Sequence, residues 1–100
     1  MSDQPQPPAP TQLQIALDDD VAQGIYCNLA LLAHSDTEFT FDFIYVQPQQ
    51  PKAKVLSRVI TNPQHAKRLA QVLAENIARY EARFGEIKLP VPPAAPLPRH

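Results

Sequence analysis

Phe39-Thr40-Phe41-Asp42-Phe43-Ile44-Tyr45-Val46 is the stretch that decides the fold. Aromatic and β-branched residues fill most of it, and such side chains suit a pleated, half-buried surface better than the crowded wall of a helix. Just before it, His34-Ser35-Asp36-Thr37-Glu38 supplies turn residues, and Gly24 to His34 is largely apolar. Two apolar runs joined by a short polar turn predict an antiparallel hairpin.

The same reading extends outward. Gln47 to Pro51 breaks the pattern, and Lys54 to Ile60 restores β-branched and aliphatic residues, which predicts another strand. Upstream, Leu13, Ile15 and Leu17 alternate with Gln12, Gln14 and small Ala16, predicting a first strand that ends in the acidic turn Asp18 to Asp20. Connections this short exclude parallel crossovers, so about four strands should form an antiparallel meander.

At Thr61-Asn62-Pro63 the period changes. A capping Thr or Asn followed by proline starts a helix, and Gly85 after Phe84 is the matching stop. Between them Ala66, Leu69, Ala70, Leu73, Ile77, Tyr80 and Phe84 recur at spacings of three and four. The fold class is therefore α+β: an antiparallel meander followed by one long C-terminal amphipathic helix of about six turns.

The twelve prolines punctuate this plan without interrupting it: four lie in residues 1–10, and Pro90, Pro92, Pro93, Pro96 and Pro98 close the chain. Residues 1–11 and 89–100 read as flexible or polyproline-II tails, leaving 12–88 as a single domain. Nine Lys and Arg against ten Asp and Glu leave no long-range field toward nucleic acid or an anionic bilayer. One cysteine, Cys27, cannot close an intramolecular disulfide, and neither a leader nor a membrane span is legible, so the expected compartment is the cytoplasm.

With hairpin turns centred on Asp36–Thr37 and Gln49–Gln50, one sheet face should carry Tyr26, Ala30, Leu32, Phe39, Phe41, Phe43, Tyr45, Val55 and Val59. The other should carry Cys27, Leu29, Leu31, Ala33, Ile44, Val46, Leu56 and Ile60, with Asp42 roughly opposite Arg58. Four strands span about 19 Å and one helix about 10 to 12 Å, so the helix can shelter one face at most. The chain is therefore expected to form a homodimer or higher homo-oligomer, with Leu29, Leu31, Asp42, Ile44, Leu56 and Arg58 at the interface.

Catalytic groupings are hard to find. Cys27 has no adjacent base in sequence, and His34, His65 and His100 lack the close spacing of a zinc site, so neither a metal nor a cofactor is expected. Asp42 and Arg58 read as an ion pair that sets register or partner orientation. The feature that fits a plain scaffold least is the helix start, where His65, Lys67 and Arg68 put positive charge near the positive end of the helix dipole. With Lys52, Lys54 and Arg58 they could receive a phosphate or carboxylate.

Gly24-Ile25-Tyr26-Cys27-Asn28, His34-Ser35, Glu38-Phe39, Asp42-Phe43, Ser57-Arg58, Pro63-Gln64-His65-Ala66-Lys67, Tyr80-Glu81 and Phe84-Gly85-Glu86-Ile87 together resemble a bacterial family catalogued as domain of unknown function 3467. The resemblance covers roughly residues 12–88 and implies no activity, cofactor or catalytic residue. At the level of fold alone, four strands and a long helix are similar to the SecB export chaperones, without their second helix. The leading reading is a non-enzymatic homodimeric protein-interaction module, adaptor or chaperone-like, with a protein or peptide partner. The alternative is nucleic-acid or phospholigand binding through Arg58, His65, Lys67 and Arg68, and an enzyme using Cys27 or His34 comes last.

Overall fold

The computed structural model describes residues 12–90. In chain order the elements are α1 (Asp19–Ala22), β1 (Leu29–His34), β2 (Phe39–Val46), β3 (Ala53–Thr61) and α2 (Pro63–Phe84). The strands form one antiparallel sheet in the order β1-β2-β3. Both proline-rich tails lie almost wholly outside the described residues, as does His100.

The first hairpin has the register its turn dictates, with His34 opposite Phe39 and Leu29 opposite Ile44. Its turn contains no positive φ. Ser35 takes over instead: its Oγ accepts from the amides of Thr37 and Glu38, while its own amide donates to the Glu38 carbonyl. At the open end, Asn28 imitates a strand residue. Its Oδ1 accepts from the Val46 amide at 2.8 Å and its Nδ2 donates to the Val46 carbonyl at 3.1 Å.

The second hairpin is not regular. The loop closes with the Gln47 amide on the Lys52 carbonyl, which sets Val46 opposite Ala53 and Ile44 opposite Val55. Continued unbroken, that register would put Arg58 across from Phe41. A bulge leaves Leu56 without a partner and shifts the remainder by one, so that Ser57 meets Phe43 and Arg58 meets Asp42. Val55 consequently shares a face with Ile44, contrary to the alternation expected from sequence, and Leu56 is the unpaired residue.

One face, the aspartate face, carries Leu29, Leu31, Ala33, Asp42, Ile44, Val55, Arg58 and Ile60. The other, the phenylalanine face, carries Ala30, Leu32, Phe39, Phe41, Phe43 and Val59, with Tyr26 set edge-on to Tyr45. Cys27 also turns toward this second face, where it shares a cleft with Phe43 and Val59. Sequence parity places it on the first, but β1 begins only at Leu29 and alternation does not carry back through the Asn28 clamp.

Three strands stand where four were expected. Leu13, Ile15 and Leu17 are exposed, Ile15 at 87%, and residues 12–17 make no backbone hydrogen bond to another described residue. An alternating pattern becomes a strand only where a sheet edge receives it, and within residues 12–90 none does.

The helix ends where its signals are. Asn62 accepts the His65 amide on Oδ1 at 2.7 Å, Pro63 opens the first turn, and Gly85 takes φ 103° while donating its amide to the Glu81 carbonyl. The expected packing is absent: close contact between described elements is concentrated between neighbouring strands, and of the whole helix only Ala66 is buried. The reason is the joint, since Asn62 alone separates β3 from α2. Strand–helix connections in packed α/β units run to about two to six residues.

Candidate functional site

The most conspicuous surface is the apolar stripe of α2. Leu69, Leu73, Ile77, Tyr80 and Phe84 follow the helical repeat along one side, and all are exposed, Ile77 at 40% and Phe84 at 65%. At the C-terminal end the rings of Tyr80 and Phe84 lie 5.0 Å apart, with the Arg83 guanidinium 5.1 Å from the Phe84 centroid. A stripe built for burial thus lies open along about four of the helix's turns.

A complementary surface lies on the phenylalanine face. Between that face and the α1 turn runs a cleft of about 500 Å³, lined by Asp20, Val21, Ile25, Cys27, Phe43 and Val59 among others. Its outer wall is α1, held by the Val21 and Ala22 amides on the Asp18 carbonyl and stopped by Gly24 at φ 75°. Sequence reading takes Asp18 to Asp20 as a turn and misses this wall. The signal is nonetheless present: acids at a helix start, a short apolar pair, and a glycine stop.

The residues singled out on the aspartate face divide by depth. Asp42 is 2% exposed and Ile44 5%, Leu29 and Leu31 are half-buried, and Leu56 lies on the surface. Arg58 and Asp42 form the expected pair with two parallel hydrogen bonds, Nε to Oδ1 at 2.7 Å and Nη2 to Oδ2 at 2.9 Å. The arginine side chain remains about half in solvent while the carboxylate does not. Hydrogen bonding to Asp42, and then its negative charge, raise the already high Arg58 pKa, so the arginine stays protonated through the working pH range.

The structure divides the basic residues into separate groups. His65, Lys67 and Arg68 line an open cleft of about 620 Å³ at the start of α2. Lys52 and Lys54 line another beside the β2–β3 loop, and at about 3.3 Å per residue Lys54 lies roughly 23 Å along β3 from Thr61. Arg58 is committed to Asp42. Cys27 and His34 are likewise separated, since β1 runs between them and His34 stacks on Phe39 at a centroid distance of 5.3 Å. Among the described residues no group of three His, Cys, Asp or Glu is placed to hold a metal ion. No helix among them is long and apolar enough to cross a membrane.

The model of a family described as protein of unknown function (DUF3467) matches residues 1–89. The match includes residues 1–11, which the sequence resemblance leaves outside. Neither a curated protein nor a solved structure matches the chain.

Proposed function

The chain belongs to the DUF3467 family, whose description assigns no function, and from that premise we propose that it is a non-enzymatic homodimeric interaction module of adaptor or chaperone-like kind. The observation that carries the reading is the apolar stripe of α2, whose residues stay exposed and which no strand among the described residues packs along.

Surface area gives the same answer in magnitude. The chain exposes 9782 Å². Even if the residues outside 12–90 took all of the roughly 3,200 Å² that an unfolded chain of their mass exposes, about 6,600 Å² would belong to residues 12–90, against about 4,800 Å² for a compact protein of that size. The excess, about 1,800 Å² per subunit, falls in the range of about 1,000 to 2,500 Å² that one partner gives up in an obligate interface. Among the described residues Phe41, Ile44 and Ala66 are the buried hydrophobic ones, a small core for an isolated subunit.

The separation of Cys27 from His34 along β1, and the commitment of Asp42 to Arg58, support a scaffold over an enzyme. A single thiol in the sequence fits a reducing compartment, and we place the module in the cytoplasm on that ground.

Sedimentation velocity across a concentration series tests the reading. The expected result is a dimer at micromolar concentration, shifted toward monomer by Leu73→Glu on the stripe and unchanged by Lys67→Glu. A strict monomer for the unaltered protein would reject it.

A further inference from the structure

Two surfaces in one chain suit each other and both stay largely open: the stripe of α2 and the phenylalanine face. Asn62 is the whole joint between β3 and α2, and it is already engaged in capping the helix through its side chain. We propose that α2 crosses to a second copy and lies along that copy's phenylalanine face, which returns its own helix in the same way. The proposal rests on the self-association reading and adds its geometry.

Dimensions support the exchange. Twenty-two helical residues extend about 33 Å, and strands of eight or nine residues about 26 to 30 Å. Three strands span about 14 Å and one helix about 10 to 12 Å, so one helix covers most of one sheet face, and each subunit has one to give. The exchange is reciprocal and closes with two-fold symmetry, and a short hinge is the ordinary cause of such swaps.

The register follows from the two repeats. Two-fold exchange sets the hinges side by side, so the incoming helix starts at the Thr61 end of the partner sheet and runs antiparallel to its β3. At about 1.5 Å per helical residue and 3.3 Å per strand residue, Leu69 then passes near the level of Val59 and Leu73 near that of Phe43. Ile77 follows toward the cleft containing Val21, Ile25 and Cys27, and Tyr80 and Phe84 reach the level of the Tyr26–Tyr45 pair. Helix-against-helix pairing would leave the phenylalanine face, with Leu32 and Val59 exposed on it, uncovered.

Isotope-filtered NOE spectroscopy on the full chain, with labelled and unlabelled copies mixed by unfolding and refolding, tests this directly. The expected result is intermolecular NOEs from Leu69 methyls to Val59, from Leu73 methyls to Phe43, and from the Tyr80 and Phe84 rings to Tyr26 and Tyr45. Intermolecular NOEs confined to α2 overturn the exchange and leave the dimer standing. The expected contacts appearing within one copy of a monomer overturn both. As a second measurement, Ile77→Cys should cross-link in trans to native Cys27 under mild oxidation. Ile77→Cys combined with Cys27→Ser should not cross-link, and a link between the two introduced thiols, in place of the link to Cys27, would count against exchange.

Discussion

Arg58 grips Asp42 with both arms of its fork, from Nε at 2.7 Å and from Nη2 at 2.9 Å, across a point where the β2–β3 ladder has just slipped by one residue. The pair and the bulge belong together. The Gln47–Lys52 loop closure alone would bring Arg58 opposite Phe41, and Leu56 absorbs the extra residue that puts it opposite Asp42. Arg58→Met should therefore lower the melting temperature, because the deeply buried carboxylate loses its two charge-assisted bonds. Arg58→Lys keeps the charge and loses the planar fork, so it should fall between the two. Differential scanning calorimetry reads both, and an unchanged midpoint for Arg58→Met would remove the register role.

The joint between Thr61 and Pro63 makes a sharper prediction. Inserting Gly-Ser-Gly between Thr61 and Asn62 preserves the cap and gives α2 the slack to fold back on its own sheet. Monomer should then appear at concentrations where the unaltered chain is dimeric, with helix content by circular dichroism unchanged. Undiminished dimer affinity in the lengthened chain would contradict helix exchange.

These two features also mark where the sequence was legible and where it was not. The β1–β2 register could be read from Asp36–Thr37, and the limits of α2 from Asn62-Pro63 and Gly85, because turn and cap chemistry is local. The bulge was hidden: nothing about Leu56 itself signals it, and it follows from two long-range demands on β3 that conflict by one residue. Amphipathicity fixed which side of α2 seeks burial and said nothing of whether the helix lies on its own sheet, since that depends on a one-residue joint, finer than the precision of element boundaries. The strand expected at Leu13–Leu17 failed for a related reason, because alternation reports a wish to be covered and is silent about the cover.

Val59 separates a surface residue from an interface residue. In the single chain it is 43% exposed, and surface substitutions away from special features usually change stability by about 0.5 kcal/mol or less. Under an incoming helix it would be buried in both copies, and Val59→Asp would then place a carboxylate in each of two symmetric apolar contacts, costing about 3 kcal/mol per contact, or roughly ten-thousandfold in dimer affinity. Sedimentation equilibrium of Val59→Asp should show that loss, and wild-type affinity would rule Val59 out of the interface.

The helix cap gives a prediction in which folding and assembly are read together. Asn62 Oδ1 satisfies the His65 amide at 2.7 Å, one of the donors that the first turn leaves without an intrahelical partner. Asn62→Ala should cost about 1 kcal/mol and Asn62→Asp very little, since aspartate caps as well as asparagine. For a chain of this length about 1 kcal/mol corresponds to a melting shift of about 4 to 8 °C. If α2 is stable only when covered by a second copy, unfolding and dissociation are one transition, so the midpoints of all three proteins should rise with concentration. Thermal scans at about 5 and about 500 μM would check this: midpoints independent of concentration, with the Asn62→Ala shift intact, would mean that α2 is held within its own subunit.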